Sequence, residues 1–191
     1  ETTDLCASTI LLKKPNDKKI YLHTHYWIPE SKLEQSPDDV DYRAWEREGH
    51  ITIVGGNVVE SSMIADWHYK LLEEYDLKPF KSGYDNRFAK DFQNRYIDIF
   101  GDKITINIPQ DAKVLNNPMR TFEADLRDKL VNYNNNPVCA WCFKNTGIKV
   151  DTLGRAMPVK LEATKRIDGT ASKIIAYATL EWHRSEFMSL I

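Results

Sequence analysis

Two aspartates stand where regular elements should end or begin. Asp85 follows Phe80-Lys81-Ser82-Gly83-Tyr84, and Asp168 sits between Lys165-Arg166-Ile167 and Gly169. Hard divalent cations need oxygen ligands, and two such ions roughly 3.5–4 Å apart stabilise both the attacking water and the leaving oxygen of an in-line displacement. Carboxylates delivered by separate elements to one edge of a sheet therefore suit hydrolysis of phosphodiesters. Clustered carboxylates also repel each other and favour protonation until a cation supplies compensating charge. Asp168 has added help, because the positive end of a helix dipole favours its ionised form.

Read locally, each of these residues also has a plainer role. Asp168 serves equally as a helix N-cap and Asp85 as a turn residue. Asp4 is either a further acidic neighbour of the site or a turn former. Lys160, Lys165 and Arg166 either steer a phosphate toward the metals or form a solvated face. Cys139-Ala140-Trp141-Cys142 falls in an expected strand, where residues three apart point to opposite faces, and neither a second cysteine pair nor a nearby histidine completes a zinc set. His23 and His25 share a strand face without a third ligand, and the Trp and Tyr residues at helical spacing read as core.

The elements that must position the aspartates follow from periodicity and turn signals. Leu5 to Leu12 and Lys19 to Trp27 form a β-hairpin across a polar turn, and a short helix through Tyr42 and Trp45 stops at Gly49. A strand at Ile51-Thr52-Ile53 precedes a helix capped by Ser61, with Ile64, Trp67, Leu71, Leu72 and Tyr75 on one stripe. The strand ending at Asp85 comes next, then a helix from Phe88 to Ile99 and a strand at Ile104 to Ile108. Phe122, Leu126, Leu130 and Val131 mark a further helix, and Asn134-Asn135-Asn136-Pro137 reads as a turn before a strand from Val138 to Phe143. A hairpin around Leu153-Gly154 and a long helix from Gly169 to Met188 complete an α/β chain, a mixed sheet with helices on its faces.

A chain of 191 residues with 42% hydrophobic content fits one domain able to bury a core without disulfides. Its net charge of −2 supplies no global basic field for capturing nucleic acid, so any DNA contact must be local. Three cysteines and the lack of a secretory apolar region point to a reducing intracellular compartment, and no long apolar run suggests a membrane. The first residue is Glu1, without an initiator methionine, and the sequence is expected to be a piece of something longer.

Seven short motifs in order carry a resemblance: Thr3-Asp4-Leu5, Trp27-Ile28-Pro29-Glu30, Tyr42 through Trp45 to Gly49, Gly56-Asn57-Val58-Val59, Tyr84-Asp85, Asn136-Pro137, and Lys165 to Gly169. At this spacing the chain resembles the C-terminal nuclease domain of the tailed-bacteriophage terminase large subunit. The resemblance implies a ribonuclease H-like fold, residues 1–191 being a single nuclease domain, and a two-metal site for Mg²⁺ or Mn²⁺. Asp85 and Asp168 match the family's second and third carboxylates, and Asp4 is a further candidate. The family's first aspartate lies in an Asp-Leu-Ser that would precede Glu1. Asn86-Arg87-Phe88 departs from the Pro-Trp-Asn that often follows the second aspartate.

By the same resemblance the substrate is double-stranded phage DNA, cut in the cytoplasm of the infected bacterial host. The implied partners are the ATPase domain, the small terminase subunit and the portal protein. No G-x-x-x-x-G-K-[ST] loop occurs here, so the ATPase is expected upstream. Two other readings stay open: a catalytically silent module that docks on DNA or portal, and a ribonuclease H-like nuclease for junctions or RNA–DNA hybrids.

Overall fold

A computed structural model of the chain describes residues 3–35, 40–86 and 90–191. Strand β1 (Cys6–Lys13) pairs antiparallel with β2 (Ile20–Pro29) along its whole length, from Cys6 opposite Trp27 to Lys13 opposite Ile20. The chain then passes through α1 (Glu30–Gln35) and α2 (Tyr42–Arg47) to β3 (Ile51–Val54), which pairs parallel to the end of β2. Helix α3 (Ser62–Glu74), β4 (Ser82–Tyr84), α4 (Lys90–Phe100) and β5 (Thr105–Asn107) follow, with β4 and β5 forming a separate parallel pair. Helix α5 (Ala112–Arg127) leads to β6 (Val131–Asn132), which pairs with the start of β2 on the edge that β3 also uses. Then come α6 (Pro137–Lys144), the antiparallel hairpin β7 (Thr146–Val150) and β8 (Ala156–Lys160), α7 (Asp168–Trp182) and α8 (Arg184–Met188).

Strand β2 organises the core because successive side chains leave on opposite faces. Ile20 and Leu22 pack with Leu115, Met119 and Phe122 of α5 and with Ile174 and Tyr177 of α7, while Tyr26 and Ile28 pack with Val138, Cys139 and Cys142 of α6. Trp27 goes the other way, onto Ile64, Ala65, Phe92 and Tyr96 of α3 and α4. Helices thus cover both faces of a mixed sheet.

Most expected elements are present, and four differ. The long helix expected from Gly169 to Met188 is broken at His183 into α7 and α8, and Trp182 at the break is exposed. Residues 138–143 are helical, not a strand: the Asn136 side chain accepts from the N–H groups of Val138 and Cys139 at 3.0 and 3.2 Å, and Pro137 occupies the first helical turn, where its missing N–H costs nothing. Cys139 and Cys142 therefore share one buried helix face. The helix marked by Phe122 starts at Ala112, where the Asp111 carboxylate accepts from Val114 N–H at 3.0 Å, and ends at Arg127; Lys129 turns the chain with a φ of 58°, so Val131 joins β6. Ser61 does not cap α3 with its side chain; its Oγ accepts instead from Phe92 N–H at 3.1 Å, tying α3 to α4. Phe88, the expected start of α4, lies outside the described residues.

Asn136 also donates from its amide to Thr24 O at 3.3 Å, so one buried side chain starts α6 and fastens it to β2. Asn136→Ala should lose about 1–3 kcal/mol of stability in a urea titration, with an unchanged slope.

Candidate active site

Asp168 is the first residue of α7, and the packing of that helix decides its environment. A Cβ at Gly169 would overlap the Tyr26 hydroxyl and approach Cys142 Sγ to 3.0 Å, so only glycine lets the helix lie this close to β2 and α6. Lys173, one turn on and fully buried, donates to Gly169 O at 2.9 Å, and burial pushes its ammonium toward the neutral form. At the other approach, a Cβ on Gly83 would overlap Thr179 Oγ1 and sit 3.2 Å from Ile175. Helix α7 is thereby pressed against β4 as well.

The direction of each strand along α7 follows from these contacts. Thr9 Oγ1 meets Ser172 Oγ at 2.7 Å, and the charge of Asp168 reaches Cys6, so β1 runs the same way as the helix. Gly83 lies at Ile175 and Thr179 while Phe80 packs on Phe187 and His183, so β4 runs the opposite way and carries Asp85 toward the Asp168 end. Asp4, Asp85, Asp168 and Lys160 all line one cavity of about 780 Å³ between these elements.

Asp168 and Asp4 are set by different neighbours. For Asp168, burial is the main cause and the nearby Asp4 carboxylate adds to it, raising the pKa to about 6. Its Oδ2 is buried and has no hydrogen-bond partner among the described residues. Asp4 also feels burial, but the Arg166 guanidinium at 2.7 Å, the Leu5 N–H at 2.8 Å and Lys160 at 4.0 Å together hold it below the usual carboxylate range. Asp85 is half-buried at the end of β4.

A buried, unsatisfied carboxylate oxygen beside further acids is a donor set that suits a hard cation. Among the described residues, however, no group of three His, Cys, Asp or Glu side chains is close enough to hold a metal ion. Mg²⁺ tolerates such a set, because it keeps several waters and is usually held by one or two carboxylates plus substrate phosphates.

Of the basic group, Arg166 is buried and faces inward: it binds Asp4 and donates to the Tyr42 hydroxyl at 2.6 Å, while Asn145 holds its backbone carbonyl at 3.2 Å. Burial and these partners make it a clamp between the lead-ins to β1 and α7. Lys160 lines the cavity, and Lys165 is half-buried nearby in sequence. Cys139 is buried and accepts from the Tyr26 hydroxyl at 3.2 Å, and burial pushes the Cys142 thiol up to about 12, so Cys142 is a neutral packing residue. His23 and His25 stack on Trp67 at 5.7 and 5.6 Å, and burial brings His25 down to about 4. Sequence reasoning missed His68, buried in the core and bonded through Nε2 to Ser8 Oγ at 2.8 Å; its position on the apolar stripe of α3, next to Trp67, was the available signal.

Residues 2–184 match the family model described as terminase large subunit, endonuclease domain. No curated protein matches the sequence. Among solved structures the chain is similar to the crystal structure of the HK97 bacteriophage large terminase, with a TM-score of 0.80 and 23% identity over 92% of this chain and 36% of that one. The likeness carries the fold, a ribonuclease H-like mixed sheet flanked by helices, and the chain spans little more than a third of its neighbour. With nearly all of its length matched by that one model, the chain belongs to the terminase large subunit endonuclease domain family.

Proposed function

We propose that this domain is a Mg²⁺- or Mn²⁺-dependent endonuclease that cleaves double-stranded phage DNA during packaging, in the cytoplasm of an infected bacterium. The observation that carries the reading is the half-buried Asp168, its pKa raised to about 6 and its buried Oδ2 left without a hydrogen-bond partner among the described residues, in a cavity that Asp85 and Asp4 also line. When bound, divalent cations supply a nucleophile at neutral pH and neutralise charge on the phosphodiester. Asp168 and Asp85 hold them, while Asp4, kept anionic by Arg166, sets the local negative field and raises the pKa of Asp168. Lys160 offers a cation at the mouth of the same cavity for a DNA phosphate, and Lys165 extends that surface. The ATPase domain, the small terminase subunit and the portal are the partners such a domain serves.

The test is nicking of supercoiled plasmid with Mn²⁺ or Mg²⁺, with a chelator as control. Asp85→Asn and Asp168→Asn should each lower the rate by about 100-fold or more while far-ultraviolet circular dichroism is unchanged. Cleavage that survives in both variants would end this reading. Retention of DNA without metal-dependent nicking would favour a docking module, and faster cutting of junctions or RNA–DNA hybrids than of duplex would reassign the substrate.

The Asp168 shift also predicts a pH dependence of stability. Its folded pKa lies above the ordinary value of 3.8, so between about pH 4 and 6 the folded state binds more protons, and stability from this group falls as pH rises through that window. Asp168→Asn should accordingly stabilise the metal-free domain at pH 7.5 by up to about 3 kcal/mol and have little effect at pH 4. Adding Mg²⁺ should raise the melting temperature of the original chain more than that of the variant. Equal shifts in the two would remove Asp168 from the cation site.

DNA binding should be weak and fall with salt by about 0.9 log units per log unit of salt for each phosphate engaged. A combined Lys160→Ala and Lys165→Ala change should weaken it on every sequence alike and flatten that slope. A slope unaltered by the double change would place the interface elsewhere.

A further inference from the structure

A dense group of positive charge lies at the turn between β1 and β2, where residues 13–19 contain four lysines and one aspartate in a chain whose net charge is −2. The aspartate is engaged locally: the Asp17 carboxylate accepts from the Lys19 N–H at 2.9 Å and the Tyr21 hydroxyl at 2.7 Å. Beside this turn a cavity of about 270 Å³ opens between the start of β2, the α5–β6 connection and the β6–α6 loop. Its lining is Lys19, Lys129, Val131, Asn132, Tyr133 and Asn135, with no carboxylate. Neither lysine forms an ion pair among the described residues.

Lys129 stands where the fold would favour glycine. Helix α5 closes with Lys129 N–H on Leu126 O at 3.1 Å and Leu130 N–H on Asp125 O at 2.9 Å, a pattern that requires a left-handed residue at 129, and its φ is 58°. A side chain in that conformation costs stability that glycine would keep. A cation near a helix C-terminus is favourable, but Arg127 in the last turn already fills that role. Ile20 N–H bonds Leu130 O at 2.8 Å, which sets Lys19 beside Lys129. Across the cavity Asn134 and Asn135 are also left-handed, with φ of 56° and 49°, and the Asn132 side-chain oxygen accepts from Asn134 N–H at 2.9 Å, leaving its amide nitrogen to donate. Two ammonium groups and two side-chain amides on fastened backbone are a donor set for the charged acceptor oxygens of a phosphoryl group.

We propose that this pocket binds a backbone phosphate of DNA, as an anchoring contact separate from the carboxylate cavity. Lys14 and Lys18 carry the positive surface on from the pocket along the turn, which favours a polyanion over a single small anion. The pocket lies at the far end of the β1–β2 hairpin from Asp4: Ile20 is seven residues from Trp27, the partner of Cys6, a run of about 23 Å along the strand. The contact therefore holds the duplex away from the bond to be cut, and it positions DNA without reading sequence. That the phosphate belongs to DNA rests on the nuclease reading; the affinity of the pocket for a phosphoryl group does not.

The test is binding of a short fluorescent duplex to the 191-residue chain in chelator across a salt series, with nicking of plasmid in Mn²⁺ measured separately. Lys19→Ala combined with Lys129→Gly should weaken duplex binding by about tenfold and reduce the log–log salt slope by about 1. Lys129→Gly alone should weaken binding while the melting temperature stays the same or rises, because glycine suits the left-handed position. Inorganic phosphate and a mononucleotide should bind the parent chain far more weakly than the duplex does. Equal affinity and slope in the parent and the double variant overturn the proposal. A lower melting temperature for Lys129→Gly would make Lys129 a structural residue and overturn it as well, and free phosphate binding as tightly as duplex would overturn the assignment to DNA. If no form nicks plasmid while the double variant still loses duplex binding, the nuclease reading fails and this contact stands.

Discussion

The close seating of helix α7 is the constraint on which the rest of this structure depends. It is set by two points where a side chain is missing: Gly169 lets the helix touch Tyr26 and Cys142, and Gly83 lets β4 touch Thr179. A methyl group at either place would collide with packed atoms that have nowhere to move. From the first contact follows the burial of Oδ2 of Asp168, which begins the helix one residue earlier. From the second follows the placement of Asp85, because β4 can reach the same end of the helix only by lying flat along it.

Electrostatics then divides the acids. Arg166 is itself buried, and its guanidinium binds Asp4 and the Tyr42 hydroxyl, so removing Asp4 would take a close carboxylate away from a buried cation. Asp4 is thus held ionised by its structural partner, whereas burial and Asp4 raise the pKa of Asp168 to about 6. Near neutral pH such a group is largely ionised but carries a poorly compensated charge, which a bound cation would relieve. The clamp and the poised acid are therefore one device: the ion pair that secures the lead-ins to β1 and α7 also tunes the neighbouring carboxylate.

What the sequence revealed and what it hid divide along the same physical line. The hairpin β1–β2, helix α3 and helix α7 were legible because period-2 and helical stripes are local properties of a chain segment. Asp85 and Asp168 were legible as element ends. Residues 138–143 were misjudged because Asn-Pro signals either a turn or a helix start, and the choice lay in whether the Asn136 amide could also reach Thr24, more than a hundred residues away. Arg166 was read as an outward cation for the same reason: its partners, Asp4 and Tyr42, come from distant segments, and burial of a charge is decided by tertiary pairing rather than by its neighbours in sequence.

The inward turn of Arg166 bears on how such a domain must work. With that cation spent on the fold, Lys160, paired at 4.0 Å with Asp4, is left beside the three aspartates, while Lys13, Lys78 and Lys81 line other parts of the cavity. A duplex approaching without cations meets a negative field. Cations bound among the acids would reverse the sign of that field locally, so affinity for DNA and readiness for catalysis would rise together. On the proposed reading, a domain built in this way would hold DNA poorly by itself and cut where another part of a larger machine had already brought the duplex.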